Sequence, residues 1–313
     1  MRQGIRTLGW LSVVCVACSS ASSATSPDAV TTIDNTGGGV EVPGTTLLPR
    51  PSPTDAGAVI DASDGGSASE CVPGPVPAAV RAQFGLAPFY TQYVDYLGFP
   101  IVASSKPAPR ALCVARDVIS HMFASRPELV GRLVEKKIRL AIMGKTELTT
   151  DIPEHSDLTP KAYWDERARG LGATLARPAV SAAEENVLCD TGDRYRGESI
   201  LVHEFSHAIF NMAVDLYEPA LKSELDADFA AAIAAHKFDN TYAATNRDEY
   251  WAEGAQDWFD TNATAIPSNG IHNDIHTRAQ LVTYDPALST LMRKVFGDLT
   301  WRYACPAPIT TSH

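Results

Sequence analysis

The sequence of 313 residues is poor in basic side chains, with 26 Lys and Arg against 37 Asp and Glu and a net charge of -11. This balance gives no reason to expect a nucleic acid or an anionic membrane surface as a partner. Among the four cysteines after residue 18, no pair has the C-x-x-C spacing of zinc knuckles and redox sites. The apolar run from Leu8 to Ala17 is too short for a stable membrane span. The remaining composition, 45% hydrophobic and 20% charged, is that of a globular protein with a sizeable core.

The N-terminus has the pattern of an export signal. Arg2 and Arg6 precede the short apolar run, which ends in Val16-Ala17-Cys18. Small residues directly before a cysteine resemble the lipobox of bacterial lipoproteins. We therefore predict a lipoprotein-type signal peptide over residues 1–18 and a lipid on Cys18 as the only membrane contact. The expected location is the cell envelope, and a plain secretory peptide, giving a secreted or periplasmic protein, is the alternative.

Two further regions follow from composition. Residues 19–70 are rich in Ser, Thr, Ala, Gly, Pro and Asp, so they cannot bury enough apolar surface to fold and are predicted to form a disordered tether. Residues 71–313 are predicted to form the folded domain. Four cysteines in this domain favour two disulfides in an exported chain. We expect Cys71–Cys305, which would tie the domain ends together, and Cys113–Cys189, with buried free thiols as the alternative.

Hydrophobic spacing predicts an α+β fold. Helices are expected over 107–124 and 128–136, and a compact apolar run predicts a strand over 138–143. A second strand is expected over 173–181, where Pro178 would restrict it to a sheet edge. The chain then becomes mainly helical, with helices predicted over 198–216, 219–237, 246–260 and 285–297. The expectation is a small mixed sheet followed by a helical half.

The most informative residues are His203-Glu204-Phe205-Ser206-His207. Residues four apart on a helix lie on the same face, so both imidazoles can reach one zinc ion. Glu204 can then act as the general base toward a water at that ion. The alternative is a helix whose two histidines are merely hydrogen-bonded.

Zinc requires a third protein ligand, and two later regions could supply it. A metzincin site would need Gly and His where the chain has Phe210 and Ala213, so that class is excluded. Glu249 and Glu253 are one helical turn apart, so one could bind zinc while the other accepts a hydrogen bond from a ligand histidine. Three other acids are alternatives to Glu249, although their default interpretation is a solvated helix face: Glu224, Asp226 and Asp228.

The HEFSH helix and the segment YAATNRDEYWAE, from Tyr242 to Glu253, together resemble the catalytic domain of anthrax lethal factor and its relatives, including the Pro-Pro endopeptidases. These are zincin-like metallopeptidases of the gluzincin class. The resemblance covers about residues 198–259, and Ser206 stands where the family usually has Gly. It implies one zinc ion per chain, Glu249 as the third ligand, Glu253 as its outer-shell neighbour and Tyr242 as the hydroxyl that stabilises the oxyanion.

These patterns predict a zinc metalloendopeptidase acting on a peptide or protein substrate. The substrate backbone is expected to pair with a free strand edge, either 138–143 or 173–181. A zinc amidase acting on non-protein amides and a zinc-binding, non-catalytic surface lipoprotein are the competing functions. His155, His272 and His276 are expected to be loop residues, the last two on the surface.

Overall fold

The computed structural model describes residues 71–305. The predicted signal peptide, Cys18 and the predicted tether lie outside the described residues, as do residues 306–313. In chain order the elements are α1 Ala78–Phe84, β1 Gln92–Tyr96, β2 Phe99–Ala103, α2 Pro109–Met122, α3 Glu128–Glu135, β3 Arg139–Met143, α4 Lys161–Arg167, β4 Gly170–Leu171, β5 Ala179–Ala183, α5 Glu184–Val187, α6 Ile200–Ala208, α7 Pro219–Ala234, α8 Arg247–Trp258, α9 Arg278–Tyr284 and α10 Pro286–Phe296. The predicted α+β class, a small mixed sheet before a helical half that carries the HExxH helix, is confirmed.

The sheet has five strands in the order β1-β2-β3-β5-β4. The pairs β2–β3 and β3–β5 are parallel, whereas the pairs β1–β2 and β4–β5 are antiparallel. The predicted strand over 138–143 is confirmed as β3. The expectation that Pro178 confines the second strand to an edge is wrong, because the strand begins at Ala179 and the proline removes no donor from its ladder.

The free edge near the helical half belongs to β4, a strand of two residues. Both strands expected to offer a free edge, β3 and β5, lie inside the sheet with neighbours on each side. That expectation is wrong because Gly170 and Leu171 pair with Ala182 and Ser181 and cover the outer side of β5.

Helix ends follow from local sequence in the helical half. The Ser199 hydroxyl accepts the backbone N–H of Val202 at the start of α6. The Asn246 side chain accepts the backbone N–H groups of Asp248 and Glu249 at the start of α8. Helix α10 begins at Pro286 and ends at Phe296, and the next residue, Gly297, has a φ of 73°, in the left-handed region that glycine tolerates. The predicted boundaries at 246 and 285–297 are therefore confirmed.

The core fixes α6 between the sheet and α8. Phe205 of α6 packs edge-to-face on Phe99 of β2 and on Phe123, with ring centroids 5.6 and 5.5 Å apart. From α8, Trp251 packs on Phe210, and its indole Nε1 donates to the Ser206 carbonyl at 2.9 Å. Each buried aromatic contributes roughly 1.5–3 kcal/mol, so α6 and α8 are held in one relative position.

The cysteines form two disulfides, Cys71–Cys113 and Cys189–Cys305, with Cα–Cα distances of 5.7 and 5.5 Å. The expected pairs Cys71–Cys305 and Cys113–Cys189 are wrong. Gly74 forms an isolated β-bridge with Tyr93 of β1. The segment before it therefore runs beside β1, where Cys71 bonds to Cys113 of α2. At the other end, the Tyr303 hydroxyl donates to the carbonyl of Val187 at 3.0 Å, which brings Cys305 to Cys189.

The two disulfides bear on the compartment of the protein. Disulfides form and persist in oxidising environments, which agrees with an extracellular or other oxidising location. Over residues 71–305 the structure contains no helix that combines the length and apolar character needed to cross a membrane.

Candidate metal centre

Helix α6 places the two histidines of the HExxH segment side by side in the interior. His203 and His207 are one turn apart, their ring centroids are 4.9 Å apart, and their Nε2 atoms are separated by 3.2 Å. The residues are 6% and 3% exposed. Two imidazoles therefore direct nitrogen atoms at one buried point, as the spacing predicts.

Glu249 reaches the same point from α8. Its Oε2 lies 3.1 Å from Nε2 of His203 and 3.4 Å from Nε2 of His207. The packing of Trp251 against α6 fixes this approach, since Trp251 is two residues beyond Glu249 on the same helix. The structure therefore brings together the three residues predicted as ligands.

These three residues fit a metal ion. Their ligand atoms all lie within 4.8 Å of one another, and each residue is buried. A tetrahedral zinc ion with bonds of about 2.0–2.1 Å needs ligand atoms roughly 3.3 Å apart. The observed separations of 3.1, 3.2 and 3.4 Å match that requirement.

The local charge also favours a cation. Burial alone would lower the pKa of His203, but Glu249, Glu204 and Glu253 outweigh it and raise that pKa well above its usual value. Burial would raise the pKa of Glu249, but His207 and His203 outweigh it and lower that pKa. Both shifts show that this point stabilises positive charge beside Glu249, which a divalent ion would supply.

His203 is oriented by two groups on α8. Its Nδ1 lies 2.9 Å from the Gln256 amide oxygen and 3.5 Å from Oε1 of Glu253. Such outer contacts set the tautomer and ring direction of a ligand histidine. Glu253 therefore lies beside His203, but Gln256 is the nearer partner of the imidazole. The sequence signal for Gln256 is its position seven residues after Glu249, two turns along the same helix face.

Glu253 is held in a buried polar group. Its Oε2 accepts the amide N–H of Asn262 at 3.0 Å. The pKa of the Glu253 carboxyl is raised to about 7, mainly by burial. Glu198 adds to this increase, and His203 opposes it. Asn262 also donates to Asp257, so one loop amide connects the two acids on the inner face of α8.

Tyr242 lies directly beside the three ligands. It occupies the short 3-10 turn Tyr242–Ala244, and its hydroxyl donates to Oε1 of Glu249 at 3.0 Å. Its ring is close to parallel with that of His203, at an angle of 22° and a centroid distance of 6.2 Å. The phenol is thus placed next to the point at which the two imidazoles and the Glu249 carboxylate converge.

Glu204 faces the cleft from α6. It is 6% exposed. Burial and the nearby Glu249 carboxylate raise the pKa of the Glu204 carboxyl. His203, His207 and a hydrogen bond from the backbone N–H of Gly172 lower that pKa, but the net shift is upward. A carboxylate with a raised pKa is a stronger base at neutral pH than an exposed glutamate.

The site opens into a cleft of about 310 Å³. Its floor is formed by α6 and α8, one wall by the segment from Trp164 to Gly170, and the opposite wall by Asn269, Ile271 and His272. The expectation of a surface position is wrong for His272, whose side chain is only 10% exposed. The backbone N–H of Tyr242 donates to the Ile271 carbonyl at 2.8 Å, which folds this loop over the site.

Other sequence candidates lie elsewhere. On α7, Glu224 pairs with Lys294 and Asp226 with Lys222 and Arg247, as expected for a helix face in solvent. Neither of these acids nor Asp228 belongs to the histidine group. His155 was expected in a loop but ends the short 3-10 helix Pro153–His155, and it is buried with Nε2 3.1 Å from the Ser181 hydroxyl.

A glycine brings strand β4 against α6. A Cβ atom at Gly170 would contact the Ile200 side chain and lie 2.9 Å from the Ser181 carbonyl oxygen. We expect Gly170→Ala to lower the free energy of unfolding by about 1–3 kcal/mol through overpacking. The matched control is Gly131→Ala in α3, where a Cβ meets nothing within 4 Å and a gain of about 0.5–1 kcal/mol is expected. Urea unfolding measures both, and an unchanged Gly170→Ala midpoint would contradict this packing.

No family model and no curated protein matches this chain. Among solved structures, it is similar to the Pro-Pro endopeptidase PPEP-2 from Paenibacillus alvei, with 16% identity and a TM-score of 0.37, over 62% of this chain and 95% of that chain. At this TM-score the likeness carries no argument for fold or function. The interpretation of the site therefore depends on its own geometry.

Proposed function

We propose that this chain is an exported zinc metalloendopeptidase of the gluzincin type, with one zinc ion held by His203, His207 and Glu249. The proposal is carried by the convergence of two imidazole nitrogens and one carboxylate oxygen at separations of 3.1 to 3.4 Å beside Glu204 in an open cleft. Three protein ligands leave a coordination position for water, which is typical of catalytic zinc sites, whereas structural sites use four.

The chemistry divides between the ion and the chain. Zinc, when bound, supplies a Lewis acid that polarises the scissile carbonyl and acidifies a water molecule. Glu204 takes the proton from that water and later passes it to the leaving amine. The Gly172 N–H helps to hold the Glu204 carboxylate toward the cleft during this transfer.

Tyr242 and the partners of His203 support the same step. The Tyr242 hydroxyl can turn from Glu249 to the oxygen that gains negative charge as water adds, and it carries no charge beforehand. Gln256 and Glu253 keep His203 in the orientation that directs Nε2 at the site.

The edge of β4 is suited to a peptide. Gly170 and Gly172 let this segment approach α6 closely, because a Cβ at Gly172 would lie 3.2 Å from His207 Cβ and 3.4 Å from Oε2 of Glu204. An extended peptide that adds to this edge as a further strand would pass directly beside Glu204. The sequence predicted a free edge for the substrate at 138–143 or 173–181, and the β4 edge replaces both in this role.

Export belongs to the same proposal. The two disulfides support an oxidising compartment. A lipid on Cys18 and a tether over residues 19–70 would hold the domain away from the membrane surface.

Cleavage-site profiling of a protein library with the purified full chain tests the function. We expect cleavage that stops when a chelator removes the metal and resumes when zinc is returned. A chain that retains zinc but cleaves only cell-wall amides would be an amidase instead. A chain inert toward both protein and murein would be a binding module.

A further inference from the structure

One wall of the cleft is positively charged. Arg167, Arg169 and Arg194 are among its lining residues. Arg169 is neutralised, because its Nε and Nη2 atoms lie 2.6 and 3.0 Å from the two carboxylate oxygens of Glu185. On this wall the charges that face a ligand are therefore those of Arg167 and Arg194, while Glu198, Glu204 and Glu253 also line the cleft.

These two arginines lie on adjoining segments that are hydrogen-bonded together. Arg167 is the last residue of α4, and Arg194 lies in the loop before α6. The Arg194 guanidinium donates to the Glu166 carbonyl, and the Tyr195 hydroxyl donates to the Arg167 carbonyl. The loop and the end of α4 thus form one surface at the side of the cleft.

Each guanidinium is also held against an aromatic ring. Arg167 lies over Tyr163 at 4.9 Å from the ring centroid, and Arg194 lies over Tyr195 at 5.6 Å. Cation–π contacts of this kind restrict the motion of a side chain. The two groups are therefore positioned before a ligand arrives, which lowers the entropy cost of binding.

Most of their donors have no partner in the described part of the chain. A guanidinium has five N–H donors, and the hydrogen bonds of Arg167 and Arg194 go to one neutral oxygen each, the Tyr163 hydroxyl and the Glu166 carbonyl. No carboxylate of residues 71–305 forms an ion pair with either arginine. Arg167 Nη2 is shielded from solvent without a hydrogen-bond partner.

We propose that Arg167 and Arg194 are specificity-determining residues that select peptides with an Asp or Glu side chain within a few residues of the scissile bond, an inference that rests on the proposed peptidase function. A guanidinium binds a carboxylate through two parallel hydrogen bonds. Arg167 and Gly170 line the same cleft, so a peptide paired with the β4 edge would pass close to the Arg167 side chain. A Lys or Arg side chain at the same place is repelled.

The test measures binding and cleavage separately. The full chain carrying Glu204→Gln is titrated with fluorescent peptide pools that differ only in one fixed residue: Asp, Asn or Lys. We expect the Asp pool to bind about tenfold more tightly than the Asn pool, with Lys the weakest. Raising the ionic strength should reduce the difference in affinity between the Asp and Asn pools. Adding Arg167→Gln and Arg194→Gln should remove most of it.

The matched control is Arg196→Gln, two residues after Arg194 and exposed outside the cleft, which should leave the preference intact. The same pools are then cleaved by the chain with Glu204 restored, and kcat/KM should follow the binding order. Equal binding of the Asp and Asn pools, or a preference that survives loss of both arginines, would overturn the inference. The peptidase proposal would still stand if the chain with Glu204 cleaved the peptides. Selective binding without any cleavage would instead contradict the peptidase proposal.

Discussion

The Glu204→Gln variant is expected to lose hydrolytic activity by roughly 10²–10⁴-fold in kcat while it keeps its zinc. Glutamine preserves the size of the side chain but cannot take a proton from water. Glu204 is not among the three residues whose ligand atoms converge, so the metal centre should be unaffected. Turnover of a peptide found by profiling, together with zinc content, measures the two effects.

This variant separates the competing functions. If the wild-type chain cleaves peptides and Glu204→Gln does not, the carboxylate is the base and the peptidase interpretation holds. If both cleave at the same rate, another group removes the proton and the assigned mechanism is wrong. Circular dichroism should show the same helix content for both proteins, since the substitution changes no volume in the core.

The Glu249→Ala variant is expected to lower zinc affinity by more than about 100-fold, because it removes one of the three proposed protein ligands. The imidazoles of His203 and His207 would remain, but two ligands do not define a closed site. Zinc competition with a chromophoric chelator measures the affinity. Activity should fall with the metal content.

Glu253→Ala is the matched comparison, one turn away on the same helix. It removes a carboxylate 3.5 Å from Nδ1 of His203 but leaves Gln256 at 2.9 Å. We expect a loss of about 10–100-fold in zinc affinity at most. Equal zinc affinity in wild type and Glu249→Ala would show that Glu249 is not a ligand, and a larger loss in Glu253→Ala would transfer that role to Glu253.

The parts of this site that were predictable are local in sequence. His203 and His207 are four residues apart, so helical geometry alone places them on one face. The Asn246 cap and the end of α10 before Gly297 are likewise local signals that the structure confirms. The position of Glu249 followed from a family resemblance, because no local rule states which later acid will pack against α6.

The parts that were missed depend on tertiary contacts. A strand of two residues such as β4 has no periodicity to detect, and Gln256 becomes a partner of His203 only once α8 is docked. His272 lies in a loop, and only its hydrogen-bonded neighbour Ile271 brings it to the cleft. The disulfide pairing depends on the paths of both domain ends, which composition does not encode.

Diffraction at the zinc absorption edge from crystals of the full chain tests the central claim most directly. The account predicts one anomalous peak, within bonding distance of Nε2 of His203, Nε2 of His207 and a carboxylate oxygen of Glu249. A peak at any other position, or zinc-saturated crystals with no peak between these residues, would contradict it.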